Sequence, residues 1–163
     1  MEKGNKVRGI AHDTNVGKVT LVGVPDRPGI AAQVFGPLAE AGISVDVIVQ
    51  NTGQHGKTDL SYSVAKSDLG KAEALTRKVA STIGAEAVTA AGDLGKVSIV
   101  GSGMQSAPGY AARMFDALYR AGINIEMITT SEIRITCIIA ADRVADAVRA
   151  LHAAFQLETR DNP

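Results

Sequence analysis

Hydrophobic positions recur along the chain with two periods, near two and near 3.6 residues, in a repeated order. Val19 to Val24 is a β-branched run bounded by glycine and predicts a strand. Ile30, Val34, Leu38 and Ala41 fall on one helical face with Phe35 beside it; Pro28 suits the first helical position and Gly42 the end. Ile43 to Val49 alternates as a second strand, Asn51 to Lys57 is a glycine-bearing turn, and Thr58 to Ala65 is a third strand. Ser67 or Asp68 caps a second helix that carries Leu69, Ala72, Leu75, Val79 and Ile83 inward; Gly84 closes it, and Glu86 to Ala90 is a weak fourth strand. One residue disagrees. Pro37 lies inside the first helix, where proline costs ~3 kcal/mol, so a local kink is expected near Gly36-Pro37.

The order then repeats. Gly17-Lys18-Val19-Thr20-Leu21-Val22-Gly23 recurs as Gly95-Lys96-Val97-Ser98-Ile99-Val100-Gly101. Pro28-Gly29-Ile30-Ala31-Ala32 recurs as Pro108-Gly109-Tyr110-Ala111-Ala112, and Ala41-Gly42-Ile43-Ser44-Val45-Asp46 as Ala121-Gly122-Ile123-Asn124-Ile125-Glu126. The chain therefore reads as a tandem duplication with a small insertion in the second loop, where Gly103-Met104-Gln105 precede Ser106. Ala117 stands where the first copy has Pro37. The second copy predicts a strand at 96–101, a helix at 109–121, strands at 124–129 and 133–140, and a helix at 142–155 with Val144, Val148, Leu151 and Phe155 inward.

Each copy reads strand–helix–strand–strand–helix–strand, the ferredoxin-like split βαβ arrangement of the α+β class. The second copy runs out of chain, because Thr159-Arg160-Asp161-Asn162-Pro163 is too short and polar for its last strand. A spare strand precedes the first copy, Val7-Arg8-Gly9-Ile10-Ala11-His12. We expect it to complete the second sheet, which places the first domain (residues 15–91) inside the second (residues 5–14 plus 92–158). The alternative is an N-terminal arm that pairs with another subunit.

Composition narrows the function. The 17 basic and 17 acidic side chains of the 163 residues cancel, which leaves no electrostatic footprint for nucleic acid or an acidic membrane face. Three Phe, three Tyr and no Trp supply few stacking platforms for RNA. No apolar run approaches the ~20 residues that span a bilayer. Met1 to Lys6 has no apolar core of a secretory signal, and the lone Cys137 cannot form an internal disulfide, so a reduced, cytoplasmic protein is expected.

Several motifs are decoys. Gly53 to Thr58, GQHGKT, resembles a phosphate loop, but Asn51 occupies a required glycine position and the segment is a turn between strands. Gly101-Ser102-Gly103 lacks a third glycine at Ser106 and a parallel sheet. His12, His55 and His152 have no metal-ligand spacing, and are read as two solvated imidazoles and one packed at a strand edge. Cys137, within an apolar strand, reads as an inert core thiol. An acylphosphatase would share the fold class, but Pro28 removes a backbone donor from the loop that holds Arg27. No catalytic residue is assigned.

The junction Val24-Pro25-Asp26-Arg27-Pro28-Gly29-Ile30-Ala31 is the informative segment. A helix N-terminus offers amides and a positive dipole end to a carboxylate, Gly29 permits close backbone approach, and Asp26 suits an ammonium. Together these suit a free amino acid; the competing reading is that Asp26 only caps the helix.

The Asp26-Arg27-Pro28-Gly29 junction, the Ala41 to Asp46 segment and the strand order resemble the ACT amino-acid-binding domain. The tandem form, with Gly9-Ile10-Ala11 ahead of Lys18-Val19-Thr20 and Asn124-Ile125-Glu126-Met127-Ile128 followed by Thr130-Ser131-Glu132-Ile133, is similar to the C-terminal regulatory region of aspartate kinase. That enzyme phosphorylates the aspartate side chain with ATP, on the route to lysine, threonine and methionine. Nothing in the chain matches the kinase domain. The resemblance therefore implies a separate, non-catalytic β subunit that carries no metal or cofactor, dimerises through its ACT domains, and joins a catalytic α subunit in a heterotetramer. It implies an effector, L-threonine first and L-lysine as an alternative, between the first domain of one chain and the second of another. Asp26, Gly29, Ile30, Ala31 and Gln50 would form one wall, and Asn124 and Ile125 the other. In the second copy Ser106 replaces Asp26, so that site is expected to be weaker, empty or differently used, with Ser106, Ser131 and Glu132 as its candidates. Two competing readings are a free-standing ACT sensor acting on another enzyme or a transcription factor, and an acylphosphatase-like enzyme.

Overall fold

Strands extend well beyond their apolar runs in the computed structural model, which describes residues 5–51 and 53–157. β1 (Val7–Pro25) joins the spare segment, the polar stretch His12 to Asn15 and the first apolar run into one strand. β4 (Ala87–Gly101) likewise joins the weak fourth strand to the run that begins at Lys96. Ladder hydrogen bonds belong to the backbone, so polar side chains do not interrupt them. Between these strands lie α1 (Ile30–Glu40), β2 (Ile48–Gln50), β3 (Lys57–Ala65) and α2 (Leu69–Ile83). After them come α3 (Tyr110–Arg120), β5 (Met127–Thr130), β6 (Arg134–Ala140) and α4 (Val144–Ala154).

The chain divides into two compact units: Asn15–Leu94, and the described residues up to Thr14 together with those from Gly95 onward. The first has strand order β2-β3-β1-β4, with β3 antiparallel to both of its neighbours. The second has order β1-β4-β6-β5, with β5 antiparallel to β6. Both are ferredoxin-like α+β sheets, each with a pair of helices packed on it. The expectations at residues 158–163 lie outside the described residues.

In the first unit Val19, Leu21 and Val24 from β1 meet Leu60, Tyr62 and Val64 from β3 beneath Ile30, Val34 and Leu38. In the second, Val97, Ile99, Ile135, Cys137 and Ile139 lie beneath Met114, Leu118, Val144, Leu151 and Phe155.

Several local expectations are corrected. The second strand spans only 48–50; before it, the Asp46 N–H donates to the Ser63 carbonyl at 3.0 Å, and the Val47 N–H to Ser63 Oγ at 3.0 Å. Pro28 lies in the turn before α1, because Gly29 takes the N-cap in a left-handed conformation. As expected, α1 nevertheless runs through Pro37 to Glu40. Neither Ser67 nor Asp68 caps α2 with its side chain; a 3₁₀ turn, Lys66–Asp68, leads in instead. α4 begins at Val144 after a similar turn, Ala141–Arg143. α2 buries Ala72, Thr76, Ala80 and Ile83, while Leu75 and Val79 are only half-buried. α4 buries Ala147, with Val148 half-buried.

Thr76 is drawn inward by Tyr62, whose hydroxyl lies 2.6 Å from Thr76 Oγ1 inside the core. Burial raises the Tyr62 phenol above its ordinary range, and the Thr76 hydrogen bond offsets part of that shift. One irregularity breaks β1. Leu21 pairs with Leu60 and Val24 with Thr58, so Val22 and Gly23 together face Asp59 in a bulge.

Removing the Tyr62 hydroxyl leaves Thr76 without that buried partner. Tyr62→Phe should lose about 1 kcal/mol of stability, seen as a lower urea midpoint with an unchanged slope.

Candidate functional site

The chain passes from β1 to α1 through Asp26, Arg27, Pro28 and Gly29. Gly29 has φ 91°, a left-handed backbone that favours glycine, and no side chain caps the helix it opens. The first intrahelical bond runs from the Gln33 N–H to the Gly29 carbonyl at 3.0 Å. The amides of Ile30, Ala31 and Ala32 therefore precede the helical ladder, at its positive dipole end. Asp26 is not the cap. Its own amide donates to the Gly56 carbonyl at 2.8 Å, which ties the junction to the turn between β2 and β3. Asp26, Gly29 and Ala31 are exposed, while Ile30 is buried and anchors the junction in the core. Gln50 ends β2 in register with Leu60 and is exposed. The junction thus presents a carboxylate suited to an ammonium and amides suited to a carboxylate.

Asn124 and Ile125 belong to the other unit, between α3 and β5; Asn124 is exposed and Ile125 half-buried. They repeat Ser44 and Val45, and exposure alternates identically through 44–50 and 124–130. Thr130 is therefore the counterpart of Gln50.

The second junction keeps the backbone and changes the chemistry. Gly109 is left-handed at φ 99°, again without a side-chain cap. The lengthened loop forms a 3₁₀ turn, Met104–Ser106, that buries Met104. A cavity of about 490 Å³ opens here, walled by Met104, Gly109, Tyr110, Thr130, Ser131 and Glu132 among others. Ser131 and Glu132 thus meet the loop, whereas Ser106 donates its hydroxyl back to the Gly103 carbonyl at 3.0 Å.

Sequence reasoning missed a cluster beside this loop. Tyr110 accepts the Lys6 backbone N–H at 3.0 Å and stacks on Phe155, with centroids 6.3 Å apart and planes 7° apart. Arg113 lies 4.8 Å over the Phe155 ring and donates to the Ala154 carbonyl. The available signal was Tyr110 itself, where an otherwise copied motif has Ile30.

The remaining motifs fall into place. His12 and His55 are exposed; the half-buried imidazole is His152 on α4, 3.2 Å from the Leu157 carbonyl, rather than one at a strand edge. Among the described residues, no group of three or more His, Cys, Asp or Glu is placed to hold a metal ion. The GQHGKT segment turns between β2 and β3 without opening a helix. No helix among the described residues is long and apolar enough to cross a membrane. Cys137 is fully buried, and burial pushes its thiol up to about 12.

Comparison with known proteins gives a consistent picture. Residues 18–81 match the ACT domain family, and residues 97–155 match a second ACT domain family. The aspartate kinase of Pseudomonas fluorescens (strain SBW25) is 44% identical over 152 residues, 93% of this chain and 37% of the relative. An aspartokinase of Thermus thermophilus is 44% identical over 160 residues, 97% of this chain and 39% of the relative. The chain therefore spans well under half the length of these curated relatives. The ligand-free crystal structure of the regulatory subunit of aspartate kinase from Thermus thermophilus superposes with a TM-score of 0.86 at 43% identity, covering 92% of this chain and 99% of that one. A chain from the crystal structure of aspartokinase alpha and beta subunits superposes equally well, with a TM-score of 0.86 at 41% identity and the same coverage.

The buried thiol predicts a pH dependence. Its folded pKa is raised above the unfolded value of about 8.5, so folding keeps a proton that the unfolded chain releases. That contribution to stability is complete below about pH 8.5 and is lost as pH rises toward 12. Urea unfolding across pH 7–10.5 should show the decline, and Cys137→Ala should remove it.

Proposed function

The chain belongs to the family of tandem ACT-domain regulatory subunits of aspartate kinase, and on that premise we propose that it senses an end-product amino acid and relays its occupancy to a kinase catalytic subunit. Residues 15–91 act as the first ACT domain, and residues 5–14 with 92–158 as the second; the division of the chain after Thr14 and Leu94 supports these bounds. The effector is threonine, with lysine as the alternative. Its ammonium pairs with Asp26, its carboxylate takes the amides that follow Gly29, and Gln50 meets its side chain. Asn124 and Ile125 of a second copy close the pocket, because a buried hydroxyl needs a polar partner. Lysine, if used, takes the second junction, where the Glu132 carboxylate lines the cavity.

The observation that carries this reading is the exposed Asp26 beside a helix start that has no side-chain cap. Dimerisation is supported by the outer strands of the two sheets, where Ile48 is 51% and Ile128 42% exposed at matching positions. The dimer joins the catalytic α subunit, working in the cytoplasm as a heterotetramer that imposes feedback inhibition on the first step of lysine, threonine and methionine synthesis. The effector acts by population shift: it biases the kinase only as far as it binds one arrangement of the regulatory dimer better than another.

Calorimetric titration of the purified chain with threonine, lysine and methionine tests the reading. Threonine should bind saturably, and Asp26→Ala should weaken it about 10- to 100-fold, as expected for losing a charged hydrogen bond. The absence of binding by all three amino acids would refute it. Ile48→Asp should shift the chain toward monomer in sedimentation velocity.

A further inference from the structure

We infer that Asp59 is a positioning residue for the Asp26 junction, acting through the backbone of Gly23. Its effect on threonine affinity rests on the effector reading above; its effect on the backbone does not.

A bulge leaves one N–H of the longer strand without a ladder partner, and a buried N–H must find one. Val22 and Gly23 are the two residues opposite Asp59. Gly23 is buried, adopts φ +64°, and donates its N–H to Asp59 Oδ1 at 3.0 Å. The residue that faces the bulge therefore supplies the missing acceptor from its own side chain.

The other flank is held as well. The Glu86 N–H donates to the Val22 carbonyl at 2.9 Å. A Cβ on Gly23 would collide with Glu86 Cδ, so the Glu86 side chain lies directly over the bulge. Lys57 holds that carboxylate at 2.6 Å.

The consequence reaches Asp26. The bulge advances the register by one residue, so Val24 faces the core and Pro25 pairs with Lys57. From that register the Asp26 N–H reaches the Gly56 carbonyl at 2.8 Å. Without the extra residue, every side chain beyond Gly23 would change face.

The second unit is the internal control. Gly101, the counterpart of Gly23, lacks the positive φ and donates to a backbone carbonyl, Ile133, at 2.9 Å. Leu60 and Ile135 pair with the last residues of β2 and β5, which makes Arg134 the counterpart of Asp59. Both carboxylates, Asp26 and Asp59, thus occur only in the first copy.

The test uses the full chain with Asp59→Ala, Asp59→Asn and, as a control, Tyr62→Phe. Amide exchange by NMR reads the backbone, and calorimetry with threonine reads the site. Asp59→Ala should speed exchange at Gly23 and Asp26 about tenfold relative to α2 amides, and weaken threonine by about the same factor. Asp59→Asn keeps an acceptor oxygen and should recover most of both. Tyr62→Phe should lower the urea midpoint and leave both readouts unchanged. Unaltered exchange at Gly23 and Asp26 in Asp59→Ala overturns the inference, as does an equal change in Tyr62→Phe. If Asp59→Ala does not fold, Asp59→Ser replaces it, since its hydroxyl is too short to reach Gly23. If the wild type binds no amino acid, the effector reading fails while the exchange data still decide the role of Asp59.

Discussion

Each sheet must hand its chain to a helix within a few residues, and both do so through a left-handed glycine. Gly29 and Gly109, at φ 91° and 99°, occupy a region that disfavours an L side chain by roughly 1–2 kcal/mol. The turn brings Ile30 into one core and Tyr110 against the other, and starts each helix at a glycine, which has no side chain to cap it. The first amides of each helix consequently have no side-chain cap. A feature required for packing and the feature suited to binding are the same few bonds.

The two copies then depart from this common scaffold in opposite ways. The first adds nothing to the loop but shifts its register by a bulge, braced by Asp59 and Glu86. The second has no such brace and lengthens the loop instead, burying Met104 and fastening Tyr110 to Lys6 and Phe155. One junction is set by hydrogen bonds to carboxylates, the other by aromatic packing. A duplicated domain can keep a single backbone solution while its two loops acquire different ligands or different tasks.

Much of this was legible in the sequence because both copies solve the same packing problem. The recurrence of Gly17 to Gly23 as Gly95 to Gly101, and of Pro28-Gly29 as Pro108-Gly109, marked equivalent strands and turns without any structure. The inward face of α1 followed from spacing alone. What escaped were properties shared between distant segments. Asp13 to Asn15 is polar and belongs to neither predicted strand, yet continues β1 because backbone pairing ignores side chains. Thr76 is not among the apolar positions that spacing turns inward on α2; it is buried because Tyr62 on another element provides its partner. Pro28 fits a helix start by its φ, but the adjacent glycine claims the cap. Asp59 carries no local signal, since a bulge exists only between two strands.

The division of the chain also orders its assembly. Asn15–Leu94 is continuous in sequence, whereas the other unit unites residues on both sides of it: Asn5 bonds to the Phe155 carbonyl, 150 positions away. Loop-closure entropy grows with the separation that must be bridged, and high contact order slows folding. The continuous unit can therefore form while the rest of the chain is still being synthesised. Once folded, it holds Thr14 and Gly95 at its own boundaries and shortens the effective loop that the later unit must close.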